Sequence, residues 1–350
     1  MRTVADVIAA TRRPGEPLPA PAYAPELVGE PVKIAFMVES MRRHTTNEGY
    51  ELALAFQAGG YYLSGFGYDG VNDVAGTLNY MSPDIAVIQD KREWVGRTGG
   101  AGFDHRESFR HADELRRRSD IFTGTVIKDA HTDHALHVEA AREIGAHFWV
   151  TYYHPDIVAA QAPFLRREHI VRTWHSVDPA AVPAFQWRDG AGILSGAVSG
   201  AYPLRSRLAL AANNGQLKHI RHHKHPGYHR AGCYTPEYLR ALSMFRVSVC
   251  TSSRFGYAVR KIVESVAAGC VVVTDLPSDD VLPEIDGNLV RVDPDISPAR
   301  VDALVGDLAA TWDADRQREW AARALRYYDY RALGKRLAAD IETLRGSYAR

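Results

Sequence analysis

The segment Thr251-Ser252-Ser253-Arg254-Phe255-Gly256-Tyr257-Ala258-Val259-Arg260-Lys261-Ile262-Val263-Glu264 gathers basic side chains, a glycine and a carboxylate into one strand, loop and helix unit. A strand end that delivers a small polar loop to a helix start leaves backbone N–H groups to meet an anion. Gly256 lets the backbone approach a ligand, and the expected helix start at Tyr257 supplies the N–H groups of a diphosphate site. Arg254, Arg260 and Lys261 add positive charge there. Glu264, two turns into the expected helix Tyr257 to Ala268, is placed to accept hydrogen bonds from a ribose diol. Gly269 then stops the helix before the apolar strand Cys270 to Thr274. Gly196 to Arg207 forms a second loop of this kind, entering a helix with Pro203 in its first turn. Its Arg205 suits a bidentate phosphate contact, and Ser199 and Gly200 offer backbone contacts to phosphate or acceptor. The same residues also fit an ordinary βαβ unit, with Glu264 a solvated carboxylate and Arg205 a surface arginine.

Further candidates lie at other strand ends. Lys128-Asp129-Ala130-His131-Thr132-Asp133-His134 follows a strand, and a polar group at the carboxyl end of a parallel strand lies on the ligand side of the sheet. Asp129 or His131 is suited there to take a proton from a hydroxyl; in the plainer alternative Asp133 is an N-cap and His134 a surface residue. His154 and His175 end the next two strands, and either is a substitute for His131. Arg42, Arg43 and His44, after the first strand, are suited to an acceptor phosphate, or the segment merely caps a helix from Thr45 or Thr46. Lys218 to Arg230 holds four Lys or Arg, five His and no acid. It reads as the nucleotide side of a donor site, with Lys224, His225 and Tyr228 near base or phosphate, as a contact to an anionic acceptor such as DNA, or as a metal site. The histidines lack metal-ligand spacing, and no metal is expected.

These residues need a scaffold. Apolar runs of strand length alternate with helical patterns: Lys33 to Val38, Tyr61 to Phe66, Ile85 to Ile88, Thr125 to Ile127, His147 to Thr151 and Ile170 to Trp174 read as strands. Glu48 to Ala58 and Asp133 to Ile144 read as helices, each followed by a glycine stop. A second series runs through strands Gly192 to Ser195, Lys218 to Arg221, Val247 to Cys250, Cys270 to Thr274 and Leu289 to Val292. Its helices are Pro203 to Ala212, Pro236 to Phe245 and Tyr257 to Ala268. This is βα repetition, hence two α/β halves with parallel sheets. The expected divisions are a proline-rich extended arm at 1–31, a first domain at 32–185, a second at 186–320 and helices at 321–350 that return across the seam. Lys91 to Glu107 is a long Gly-rich connection of the kind that carries function.

Composition narrows the partners. With 42 Lys and Arg against 42 Asp and Glu, no global field draws the chain to nucleic acid or an anionic membrane. Cys233, Cys250 and Cys270 are odd in number and widely spaced, which suits reduced thiols in a cytoplasm. No signal peptide is visible and no apolar run reaches the ~18 residues of a membrane span. The first strand runs into Glu39-Ser40-Met41 without a G-x-G-x-x-G turn, against a dinucleotide oxidoreductase.

The stretch 251–274, with its Glu before a small-residue helix end and Gly, resembles the donor signature of two-Rossmann (GT-B) glycosyltransferases. The continuation Leu282-Pro283-Glu284-Ile285-Asp286-Gly287 and Leu289-Val290 is similar to what those families place next. His225-Pro226-Gly227-Tyr228, Tyr238-Leu239 and the Lys261-x-x-Glu264 helix resemble the CgeB-like branch. The resemblance spans roughly residues 120 to 345 and is strongest over 245–292. It implies two Rossmann-like domains facing a central cleft, with a nucleoside-diphosphate sugar, UDP-sugar favoured, as co-substrate and no prosthetic group. The donor half would use Glu264, Gly256, Tyr257, Arg254, Lys261 and Arg205. A cleft-facing His in the first half matches His131. The acceptor, whether protein, small molecule or hydroxymethylated DNA base, is not implied. Gly256 departs from the pattern: many retaining members have a Glu eight residues before the ribose Glu, so the stereochemistry does not carry over. An epimerase or a non-catalytic nucleotide-sugar-binding protein would use the same frame.

Overall fold

The computed structural model describes residues 34–37, 73–90, 111–223 and 234–348. The arm 1–31, the strand Tyr61 to Phe66, the helix Glu48 to Ala58 and the connection Lys91 to Glu107 lie outside these residues. The chain divides into two compact units, one running to Trp174 and resuming at Tyr330, the other His175–Asp329. Residues 175–185 therefore belong to the second unit. The helix Ala314–Tyr327 stays with that unit, while Tyr330–Tyr348 joins the first.

In the first unit β1 (Ile34–Met37), β2 (Ile85–Ile88), β3 (Phe122–Val126), β4 (Phe148–Thr151) and β5 (Ile170–Arg172) form a parallel sheet in that spatial order. Every residue of β1 to β4 is buried. That is why they read as continuous apolar runs rather than alternating ones, since crossover helices cover both faces. Ala35, Met37, Ala86 and Ile88 pack on Val74 and Leu78 of the helix Val74–Met81 and on Ala140 and Ile144 of His134–Ile144. The C-terminal helix is moored to this unit by Tyr348, whose hydroxyl donates to the His147 carbonyl at 2.6 Å and whose ring meets Phe122 edge-on at 5.2 Å.

The second unit holds β6 (Gly190–Ser195), β7 (Ile220–His223), β8 (Phe245–Val249), β9 (Val271–Thr274) and β10 (Leu289–Arg291), all parallel, in the order β10-β9-β8-β6-β7. Its core is built from Leu194, Val247, Val249 and Val273 against Leu204 and Leu208 on one helix and Val301 and Val305 on another. Strand β7 begins two residues later than its apolar pattern predicts because Asp302 intervenes. This buried carboxylate accepts the backbone N–H groups of Lys218, His219 and Ile220 at 2.9, 2.9 and 3.0 Å. Replacing it removes the acceptor of three buried or half-buried donors. Asp302→Ala is expected to cost about 2–3 kcal/mol, read from urea unfolding; a change below about 0.5 kcal/mol would show that water replaces the carboxylate there.

Candidate functional site

Strand β6 has β7 on one side and β8 on the other, so the chain reverses its progress across the sheet at β6. In open parallel sheets ligands bind outside the carboxyl ends at such a switch point. The loops that leave β6 and β8 carry most of the donor residues expected from the sequence.

Arg205 lies in the first turn of the helix Pro203–Asn213 yet is only 3% exposed. Its Nε donates to Thr251 Oγ1 at 3.1 Å and one terminal nitrogen to the Thr251 carbonyl at 2.8 Å. The other donates to the Ala197 carbonyl at 3.1 Å. The guanidinium thus braces the two loops from within and lies 3.9 Å from the centre of the Tyr202 ring. The loops are also joined by Arg254 N–H to the Ala201 carbonyl at 2.8 Å.

Lys261 converges on the same spot. Gly196, the first residue past β6, has φ +114, and a Cβ built on it would stand 2.5 Å from Lys261 Nζ and 2.7 Å from a terminal nitrogen of Arg205. The two cationic heads therefore meet over a glycine whose conformation and bareness both leave room for them. Burial, and then the positive charge of Arg205, lowers the Lys261 pKa from its ordinary 10.5 to about 8, while Glu264 and Cys250 act in the opposite direction. Two cations placed together out of water form a site short of negative charge.

Close to this pair stand two hydroxyls, a phenol and a serine, and a carboxylate follows at the end of the next strand. Ser195, the last residue of β6, shares a 2.7 Å hydrogen bond with the Tyr238 hydroxyl, and Lys261 Nζ lies 5.6 Å from the centre of the Tyr238 ring. Burial holds the Tyr238 phenol well above its usual pKa, so it stays a donor. At the end of β9, Asp275 accepts the Ser252 N–H at 2.5 Å, and burial pushes its carboxyl up against that bond. Cys250 lies behind the site, buried, with its thiol pushed up by burial; Cys270 is likewise a buried free thiol.

The helix bearing Lys261 and Glu264 is Arg260–Ala267, with Val259 in extended conformation as its N-cap. It therefore starts three residues after the predicted Tyr257. Gly256 adopts a left-handed turn with φ +74, its N–H bonded to the Ser253 carbonyl at 2.9 Å. Tyr257 is buried and its N–H lies 3.4 Å from Ser253 Oγ. The N–H groups of 256 and 257 are thus turn donors, and the helix N-terminus proper lies at Arg260 and Lys261. Glu264, 4% exposed, lies one turn on rather than two and is ion-paired with Arg260 at 3.0 Å. Arg254 is exposed, with its guanidinium 4.8 Å from the Phe255 ring centre, and Ser199 and Gly200 are exposed on the β6 loop.

No family model matches the chain, and no curated protein sequence matches it. Solved structures do. A glycosyltransferase from Rickettsia africae superposes with a TM-score of 0.53 at 10% identity, over 90% of this chain and 98% of its own. HepE from Anabaena, determined in complex with UDP-glucose, gives 0.55 at 10% identity over 89% and 99%. The lipopolysaccharide outer core galactosyltransferase WaaB gives 0.50 at 12% identity over 91% and 100%. The chain has the GT-B fold.

Of the GT-B residues expected in the first unit, Asp129 and His131 are half-buried just past the carboxyl end of β3. The neighbouring Lys128 N–H donates to the fully buried Asp90 at 3.1 Å. His134 contacts the Ala130 carbonyl at 2.8 Å, and Asp133 stands at the N-cap in a left-handed conformation without a side-chain cap bond. His154 caps the helix Pro155–Gln161, its Nδ1 accepting the Asp156 N–H at 3.3 Å. His175 is buried and opens the second unit. Arg42, Arg43, His44, Lys224, His225 and Tyr228 lie outside the described residues. Among the described residues no group of three His, Cys, Asp or Glu is arranged to hold a metal, and no helix is long and apolar enough to cross a membrane.

The sequence pattern assigns no individual role to Ser195, Gly196, Tyr238, Thr251 or Asp275, although Gly196 and Thr251 open the two loops and Tyr238 lies in a stretch that carries the CgeB-like resemblance. Four of them stand just inside or just past strand ends, and that position is the signal that finds them once the strand order is known.

Proposed function

We propose that this chain is a glycosyltransferase that moves a sugar from a nucleoside-diphosphate sugar, UDP-sugar by preference, to a hydroxyl acceptor. The observation that carries the reading is the meeting of Arg205 and Lys261 over Gly196 at the β6/β8 switch point. A diphosphate supplies the negative charge this pair lacks, and its leaving charge grows in the transition state, where preorganised cations act most strongly. With two cations already in place the reaction needs no metal. Glu264, drawn from Arg260, accepts the ribose hydroxyls, and the turn at Gly256 and Tyr257 faces the sugar. Arg254, Ser199 and Gly200 form the rim, with Lys224, His225 and Tyr228 towards the base. The HepE complex with UDP-glucose favours a uridine donor by likeness of fold.

On the acceptor side His131, with Asp129 second, takes the proton of the attacking hydroxyl. Arg42, Arg43, His44, His154 and His175 position the acceptor, which is a protein, a small molecule or a hydroxymethylated DNA base. A DNA acceptor would make activity fall steeply with salt. The transferred group is a hexose or pentose, and the chain acts in the cytoplasm.

A thermal-shift and hydrolysis screen against UDP-, GDP-, ADP- and dTDP-sugars tests the donor assignment. Wild type is expected to be stabilised by one nucleotide class and to release the nucleotide slowly. Glu264→Ala is expected to weaken that binding by about tenfold or more, since charge-assisted hydrogen bonds contribute ~1.5–3 kcal/mol. If no donor binds wild-type protein, the assignment is wrong. Gly256, standing where a second carboxylate would serve the sugar, favours one other reading: a nucleotide-sugar-binding protein that does not turn over. Donor binding without nucleotide release under any acceptor mixture would select it.

A further inference from the structure

Resting on that reading of the phosphate site, we propose that Tyr238 is the positioning residue for Lys261: its ring holds the ammonium over Gly196, and Ser195 holds the ring. The helix Tyr234–Leu242 brings Tyr238 to the carboxyl end of β6, where its hydroxyl and Ser195 Oγ are 2.7 Å apart. That bond ties a residue of the helix before β8 to the last residue of β6, across the switch point. Lys261 Nζ then lies 5.6 Å from the centre of the Tyr238 ring, inside the ~6 Å range in which the negative face of an aromatic ring attracts a cation.

The need for such a partner follows from what else faces Lys261. Arg205, from the helix after β6, repels it; Glu264, one turn along its own helix, attracts it but is engaged by Arg260 at 3.0 Å; Cys250, from β8, is a neutral buried thiol. Asp275 lies on the Arg205 side, where it acts on that guanidinium. Without ligand, a buried ammonium beside an arginine would give up its proton or swing out to solvent. The Tyr238 face provides negative potential without a competing carboxylate, which a phosphate would have to displace. Ser195 fixes the ring so that Nζ waits where the ligand arrives, and ordering it costs less on binding.

A graded series tests this on the full chain: Tyr238→Phe, then 3,5-difluorophenylalanine and pentafluorophenylalanine at position 238, with UDP as probe. Fluorination drains the ring face of negative potential while nearly preserving its volume. UDP affinity at pH 7.5 is expected to fall stepwise along the series, by about tenfold from Phe to the pentafluoro ring. The midpoint of the pH profile for UDP binding should move down by ~0.5–1 unit over the same steps. Repeated in a Lys261→Met background the series should be flat. A series that is flat with Lys261 intact overturns the proposal, and so does an equal slope with and without Lys261, which would mark the ring as packing only. Tyr238→Phe alone keeps the midpoint and reports what the Ser195 bond contributes to affinity. Wild-type protein that does not bind UDP overturns the phosphate-site reading itself, a result separate from a flat series on a protein that binds.

Discussion

Lys261→Met is expected to weaken UDP binding by roughly 10²-fold, because a charge-assisted contact to phosphate contributes ~1.5–3 kcal/mol and the remaining Arg205 is committed to both loops. The free protein should nonetheless be as stable or more stable, judged by its melting temperature. In the folded state the Lys261 pKa is lowered to about 8 from 10.5. A base with a depressed folded pKa opposes folding while it is charged. Below about pH 8 it is protonated in both states and the whole penalty is present; between about 8 and 10.5 the unfolded chain binds the extra proton, so stability rises with pH. Methionine removes this penalty at nearly constant volume. Phosphate binding works in the opposite sense, since it favours the charged form. Wild-type affinity for UDP should therefore be flat up to about pH 8 and then fall, approaching about tenfold per pH unit, with proton uptake on binding. The variant should show neither. Calorimetry in two buffers of different ionisation enthalpy measures the uptake directly, and a pH-independent affinity in wild type would mean that Lys261 is not the phosphate ligand.

The contrast between loss of binding and gain of stability is what separates a functional cation from a structural one. It also shows which parts of this chain are legible in sequence. The strand, the glycine turn and the helix that carry Gly256, Lys261 and Glu264 are legible because each is a local pattern along one segment. The start of that helix is less so: Val259 is extended and Gly256 left-handed, and nothing in a Tyr-Ala-Val run announces a delay of three residues. The pairing of Ser195 with Tyr238 spans 43 residues and depends on β8 lying beside β6. Alternation of strands and helices predicts parallel sheets but not their spatial order, so neither the switch point nor the meeting of Arg205 with Lys261 could be read from the pattern. The position of Arg205 in the sequence suits a phosphate contact; its guanidinium does reach Gly196, but most of its donors serve the loops, a division of labour that only the folded geometry displays.

Arg188 is the residue whose role is furthest from its sequence appearance. Trp187-Arg188-Asp189-Gly190 leads into the first strand of the second series, and Arg188 in it is 0% exposed. Its guanidinium donates to the carbonyls of Leu242 at 3.2 Å and Phe245 at 2.6 Å, to Ala268, and to Cys270 Sγ at 3.4 Å. Leu242 and Ala268 stand at the C-termini of two helices, where unpaired carbonyls carry the negative end of the helix dipole. One planar fork satisfies both ends and the start of β8, flanked by Phe185 and Trp312 at 5.1 and 5.5 Å. Arg188→Met would strand those carbonyls in a dry site, and the expected loss is about 3–5 kcal/mol of second-unit stability. Arg188→Lys should recover little of it, since a single ammonium on a flexible stem cannot reach three carbonyls in the fork geometry. At ~2–4 °C per kcal/mol for a unit of this size the melting temperature should drop by roughly 10 °C. Because Arg188 braces the amino ends of β6, β8 and β9, away from the loops at their carboxyl ends, UDP affinity per folded molecule should stay within about twofold of wild type, well under the 1.4 kcal/mol that a tenfold change requires. A melting shift under 2 °C, or a loss of UDP affinity without a loss of stability, would contradict this division between a stabilising edge and a binding edge of one sheet.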